Sequence, residues 1–193
     1  MISYDTGTAL VVVDVQNDFA DPNGSLFVEG GDAVVPRVNV EVMRALSAGA
    51  FVVYTQDWHP ESTPHFEKDG GIWPVHCVKD TWGAELHPGL EVSGPIVRKG
   101  SNGEDGYSGF TMRDPETGEE MATPLRGMLR ERGIERVVVV GLALDVCVKA
   151  TALDAIEDFE TSVIADASAA VDLQPGDGLR ALEELRSKGV TIA

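Results

Sequence analysis

The chain has 193 residues, with 32 acidic against 15 basic side chains and a formal net charge of −17. That length fits one domain with a real core, and the acidity, offset by no basic cluster, argues against nucleic acid as a partner while leaving a small neutral substrate open. No apolar run reaches about 18 residues and no basic-then-apolar leader is present, so neither a membrane span nor a signal peptide is expected; two cysteines, Cys77 and Cys147, suit a reducing cytoplasm better than a disulfide framework.

The first apolar run, 10–15, places Asp14 directly after three valines. Consecutive valines describe a strand buried on both faces, where an unpaired ionised carboxylate costs several kcal/mol. A helical pattern follows at 38–46, then strands at 51–55 and 96–98. A helix at 125–132, a strand at 137–140, a helix at 146–159, a strand at 162–165, a helix at 179–187 and a short strand at 190–192 complete the order. Continuously apolar strands alternating with helices predict an α/β fold. It is doubly wound, with a six-stranded, mainly parallel sheet and helices on both faces, in one domain spanning 1–193. The connections 56–94 and 99–121 are long for a compact domain, which marks them as functional or disordered. Trp58, Phe66, Trp73 and Trp82 argue against disorder in the first. The stretch "RDPETGEE" (113–120) reads as an exposed turn without chemistry.

In open parallel sheets, ligands bind beyond the carboxyl ends of the strands. Asp14 ends the first strand, Asp57 follows the second, Lys99 follows the third, and "GLALDVC", which contains Cys147, follows the fourth. Two carboxylates, a cation and a thiol therefore converge on one rim. Each has a plainer reading: Asp14 as a cap on the amides of the following turn, Lys99 as a solvated loop lysine, Cys147 as an inert buried thiol. Against these stand a helix N-terminus that lowers a thiol pKa and a lysine placed to compensate Asp14.

Three of the four histidines, His59, His65 and His76, fall in "QDWHPESTPHF" (56–66) and "WPVHC" (73–77). In extended chain Asp57 and His59 point to the same side. Carboxylate and imidazole together suit Zn²⁺, Mn²⁺ or Fe²⁺. His87 lies beyond this cluster and reads as structural, and Cys77 as packing. "GDGLRA" (176–181) formally matches a dinucleotide fingerprint, but no strand runs into it and no βαβ unit follows, so it reads as the start of the last helix.

Six stretches in order, "VVDVQNDF", "TQDWHP", "WPVHCV", "VRKG", "DGYSGF" and "GLALDVCVKATALDA", resemble the nicotinamidase (pyrazinamidase) branch of the isochorismatase-like cysteine hydrolases. The resemblance implies an amidohydrolase of NAD salvage that converts nicotinamide to nicotinate and ammonia through a cysteine thioester. By the same resemblance, Asp14, Lys99 and Cys147 form the catalytic triad. The amides of Ala143 and Cys147 hold the oxyanion, a cis peptide joins Leu142 to Ala143, and Phe19, Trp73 and Tyr107 border the substrate ring. The implied metal ligands are Asp57, His59 and His76, with His65 matching an additional ligand in some members. The ion is divalent, Zn²⁺ in first place with Mn²⁺ and Fe²⁺ as alternatives, and it binds the pyridine nitrogen. The expected partners are nicotinamide and pyrazinamide, with neither nucleic acid nor membrane; a homo-oligomer is left open.

Rival readings remain. One is a related amidase acting on another small amide or carbamoyl substrate, which the Asp/His loop disfavours. Another is a metallohydrolase whose nucleophile is metal-bound water. A third is a binding protein that keeps the fold without the chemistry, for which a broken triad would be the mark. Val146 precedes the cysteine where many relatives carry a larger or polar residue, which bears on substrate fit rather than on the chemistry.

Overall fold

The computed structural model describes residues 2–193. Its strands are β1 (Thr8–Val13), β2 (Phe51–Asp57), β3 (Ile96–Lys99), β4 (Thr111–Arg113), β5 (Glu120–Ala122), β6 (Arg136–Leu142), β7 (Glu160–Ala169) and β8 (Thr191–Ile192). Six of them form one sheet in the order β3-β2-β1-β6-β7-β8, and every pairing in it is parallel. The helices are α1 (Asn17–Ala20), α2 (Gly31–Ser47), α3 (Leu125–Glu131), α4 (Lys149–Ala155) and α5 (Asp177–Ser187).

Strand β1 shows why the sheet is covered on both sides. Successive side chains of a strand point to opposite faces. Leu10 and Val12 enter a core with Val34, Val38 and Val42 of α2. Ala9, Val11 and Val13 enter a second core with Leu125 and Leu129 of α3, Ala152 of α4 and Leu185 of α5. A strand between two helical layers must be apolar at every position, hence the unbroken valines. The expected fold class is the one observed.

Some boundaries differ from expectation. Helix α2 starts at Gly31 rather than 38. Pro36 interrupts the pattern there, because a proline inside a helical sequence normally signals a break. Strand β1 stops at Val13, where Asp14 takes a left-handed conformation, and β7 runs on to Ala169. The antiparallel ribbon β4–β5 was not foreseen; "RDPETGEE" supplies its exposed turn. Between β2 and β3 there is no α-helix, only 3₁₀ turns at Glu67–Asp69 and Trp82–Ala84. Among the described residues no helix is long and apolar enough to cross a membrane.

Strand order reverses between β1 and β6, with β2 and β3 on one side and β7 and β8 on the other. At such a point the loops leave towards opposite faces and open a crevice at the carboxyl ends of the strands. Gly141 makes the seam tight: its φ is +115° and a Cβ there would collide with the carbonyl oxygen of Val13. Only glycine lets β6 close against β1 in this way.

Candidate active site

The two strands at the seam deliver Asp14 and Cys147, and the neighbouring strands deliver Asp57 and Lys99. Asp14 follows β1 with φ +47° and is wholly buried. Its Oδ1 accepts a hydrogen bond from the Thr55 hydroxyl at 2.7 Å, and its Oδ2 lies 2.8 Å from Lys99 Nζ. Lys99 ends β3 and is only 1% exposed. It also pairs with Asp57 Oδ1, and its Nζ is 3.8 Å from Cys147 Sγ. One ammonium thus sits among two carboxylates and a thiol, which accounts for the charge after a buried strand. The carboxylate of Asp14 accepts from the Thr55 hydroxyl and forms an ion pair with Lys99, rather than capping turn amides, and Lys99 is not solvated.

Burial and pairing divide the protonation states. Burial pushes the Asp14 carboxyl up to about 6, against the pull of Lys99. Burial opposes the charge of Asp57 too, but Lys99, His59 and His76 outweigh it and bring its pKa to about 2. Burial disfavours the Lys99 ammonium, yet Asp14 and Asp57 hold its pKa well above the ordinary lysine value. Cys147 lies in a π-helical turn, Leu144–Val148, that runs into α4; such turns are frequent at functional sites. The expected lowering of its thiol pKa by a helix terminus is overturned. Burial pushes the thiol well up, so a base must take its proton. The helix expected at 146–159 begins with this turn and ends at Ala155.

His59, His65 and His76 are all buried, and one ligand nitrogen of each lies within 4.8 Å of the others. His65 Nδ1 meets Asp105 Oδ1 at 2.8 Å, and His76 Nδ1 meets the Pro74 carbonyl at 2.7 Å. Both rings therefore keep Nε2 for the cluster. Both nitrogens of His59 are buried without a hydrogen-bond partner, an expensive state for polar atoms. Asp57 Oδ2 is 3.9 Å from His59 Nε2, so Asp57 links the triad to the histidines. Burial lowers the His59 pKa to about 4 and also lowers that of His76. Neutral imidazole is the form that binds metal. Three gathered imidazoles, that of His59 with both nitrogens orphaned, and the Asp57 carboxylate beside His59 rather than inside the histidine group fit a divalent ion such as Zn²⁺, Mn²⁺ or Fe²⁺. His87 stays outside the cluster and accepts the Gly89 N–H at 3.1 Å. Cys77 is fully buried, as a packing residue would be.

The residues after Asp14 hold this arrangement in place, a role the sequence reading did not give them. Gln16, fully buried, accepts the Asp57 N–H at 2.8 Å and donates to the Asp57 carbonyl at 2.8 Å and the Ala84 carbonyl at 2.9 Å. Asn17 donates to the Trp82 carbonyl at 2.7 Å. Asp18 accepts the amides of Ser25 at 2.9 Å and Cys77 at 2.7 Å. Three consecutive polar side chains thus fasten the long connection after β2 to the end of β1. The readable signal was a polar triplet directly after a doubly buried strand.

A small, partly open cavity adjoins these groups, with the mostly apolar lining and few convergent polar groups typical of small-molecule sites. Phe19, Trp73 and Tyr107 line it together with Cys147, Ala143 and His76. Trp73 Nε1–H donates to the Tyr107 hydroxyl at 3.1 Å. Leu26, Val28 and Val171 add apolar wall that no motif announced. The peptide between Leu142 and Ala143 is cis.

The isochorismatase-domain family model matches residues 8–193. The chain belongs to the isochorismatase family. This isochorismatase-family chain is 36% identical over 203 residues to the nicotinamidase of Escherichia coli, an alignment that takes in 95% of this chain and 93% of the relative. It is similar to the pyrazinamidase of Pyrococcus horikoshii, whose crystal structure is in complex with zinc (TM-score 0.85, 41% identity, 97% of this chain and 98% of that one). It is also similar to PnC1 of L. infantum in complex with nicotinate (TM-score 0.88, 36% identity, 100% and 95% coverage). The first two carry the nicotinamidase and pyrazinamidase names of the branch that the six ordered motifs resemble.

Proposed function

We propose that the chain hydrolyses nicotinamide to nicotinate and ammonia through a thioester on Cys147. One observation carries this reading: Asp14, Lys99 and Cys147 meet beside an aromatic-lined cavity whose wall includes His65 and His76 of the buried three-histidine cluster. The elevated thiol pKa requires a base, and Asp14, pushed up to about 6, is suited to exchange protons near neutrality. Asp14 takes the thiol proton, and Lys99 stabilises the thiolate and the two carboxylates together. The thiolate attacks the amide carbon, and the amides of Ala143 and Cys147 receive the oxyanion. The C–N bond breaks as Asp14 returns the proton to departing ammonia, leaving the acyl group on sulfur. A water molecule then gives a proton to Asp14 and adds to the thioester carbon. The C–S bond breaks, the acid leaves, and the proton on Asp14 restores the thiol.

Phe19, Trp73 and Tyr107 would enclose the ring. His59, His76, His65 and Asp57 would hold a divalent ion, which we assign as Zn²⁺, and when bound it would supply a Lewis acid for the ring nitrogen. The same geometry accepts pyrazinamide. A carbamoyl substrate without a ring nitrogen would leave the histidine cluster without a purpose.

Ammonia release from nicotinamide, measured with Zn²⁺ supplied and again after chelation, tests the reading. Turnover that is strong with the ion and poor without it is the expected result. Zinc-loaded protein that ignores nicotinamide and pyrazinamide but turns over a ureido or aliphatic amide would overturn it.

A further inference from the structure

Asp105 belongs to neither the triad nor the three-histidine cluster, yet its position is built. Its backbone makes an antiparallel bridge with Arg113, the last residue of β4: the Asp105 N–H donates to the Arg113 carbonyl at 2.8 Å, and the Arg113 N–H donates in return at 2.5 Å. From there its carboxylate reaches His65 Nδ1 at 2.8 Å, while the His65 side chain is only 5% exposed. A carboxylate can only accept, so Nδ1 carries the hydrogen and Nε2 is the lone-pair nitrogen. The free Nε2 belongs to a ring stacked on His59, with centroids 4.9 Å apart, and close to His76 at 5.3 Å. The opposite surroundings of the His65 ring are the substrate wall, Tyr107 at 5.8 Å and Trp73 at 6.4 Å.

We infer that Asp105 is a positioning residue that fixes the tautomer and orientation of His65, making His65 a full metal ligand and tying the ion to the Tyr107–Trp73 wall. The inference rests on the metal-holding role of the histidines proposed above. Outer-shell carboxylates act on metal sites in this way, and their loss typically weakens metal binding roughly 10- to 100-fold. The β4–β5 ribbon gains a purpose with it, since the ribbon fixes the backbone from which Asp105 reaches inward. Tyr107 follows two residues later on the same segment, so a His65 released from Asp105 also loosens the contact that Trp73 makes with Tyr107.

The test is Zn²⁺ affinity, measured by competition with a chromophoric chelator on the wild-type chain, Asp105→Ala, Asp105→Asn, His65→Ala, His59→Ala and the Asp105→Ala/His65→Ala pair. Asp105→Ala should bind Zn²⁺ roughly 10- to 100-fold more weakly. His65→Ala should lose at least as much, and the double variant should be no weaker than His65→Ala, because the two residues act as one unit. Asp105→Asn, whose side-chain oxygen can still accept the Nδ1 hydrogen, should fall between Asp105→Ala and wild type. Asp105→Ala leaves the buried His65 Nδ1–H without its acceptor, so the chelated variant should unfold slightly below the wild-type temperature, and Asp105→Asn, which keeps an acceptor, separates that cost from the loss of Zn²⁺ affinity. Wild-type affinity in Asp105→Ala, or losses that simply add in the double variant, would overturn the inference. If His65→Ala bound Zn²⁺ normally while His59→Ala did not, the inference would fall and the proposed function would stand. If wild type and His59→Ala bound equally poorly, the metal reading itself would fail and take the inference with it.

Discussion

Replacing Lys99 with methionine should separate its electrostatic role from its place in the chemistry. Methionine keeps the length of the side chain and removes the charge. Asp14 and Asp57, 0% and 4% exposed, are then left without the ammonium that both contact. Breaking a buried ion pair from one side typically costs about 3–5 kcal/mol, because the remaining charge stays buried. Two carboxylates share this cation, so the chelated Lys99→Met protein should sit at the upper part of that range near pH 7.5. The pH dependence follows from the same geometry. Without Lys99 the folded-state pKa values of both carboxyls rise above their unfolded values, so the folded state binds more protons and the penalty shrinks as pH falls. Asp14→Asn should cost less than Lys99→Met, since Lys99 keeps Asp57. Adding Asp14→Asn to Lys99→Met should recover part of the loss, a coupling that independent sites would not show. Urea unfolding followed by far-UV circular dichroism is the appropriate assay, because all three tryptophans lie between 58 and 82 and report one connection. A Lys99→Met cost below about 1 kcal/mol, unchanged between pH 7.5 and pH 5, would refute the reasoning.

Thr55→Val removes the hydroxyl that donates to Asp14 Oδ1, an interaction with a charged group worth about 1.5–3 kcal/mol. Losing a donor disfavours the carboxylate, so the acid limb of the kcat/KM profile should move to higher pH; an unmoved limb would count against Asp14 as the base. Chelation or His59→Ala should erase the preference for nicotinamide over benzamide, which has the amide but no ring nitrogen, and the loss should appear mainly in KM. A preference that survives metal removal would detach the ion from the ring. His59 stands at about 4 in the fold against an ordinary 6.5; the unfolded state binds more protons between these values, so stability rises with pH across that window. Chelated protein should therefore lose about 3 kcal/mol on going from pH 7 towards pH 4 through this residue, and His59→Gln should flatten the slope; equal slopes in the two proteins would contradict the assignment.

The sheet was legible because its strands announce their burial. Val11–Val13 and Val137–Val140 are buried on both faces, and only a sheet between two helical layers demands that. The charged rim was legible for a related reason: Asp14 and Asp57 stand at the ends of buried strands, and Lys99 ends the strand beside them, where a charge needs an explanation. What escaped were groups whose meaning depends on distant partners. Gln16 and Asp18 look like turn residues until the connection after β2 folds back on them. Asp105 lies inside a recognised stretch, "DGYSGF", but nothing local ties it to His65, 40 residues earlier. The β4–β5 ribbon was hidden because three-residue strands carry too little alternation to be read. The thiol pKa was misjudged because a helix terminus is visible in sequence, whereas the depth of burial that overrides it is not.

The covalent role of Cys147 is tested most directly by rapid quench of Zn²⁺-loaded protein with nicotinamide, followed by peptide mass spectrometry. A nicotinoyl group on the peptide containing Cys147, released by hydroxylamine and formed no more slowly than overall turnover, is the predicted result. Ammonia production by Cys147→Ala at near wild-type rate, with no acylated peptide in either protein, would contradict it.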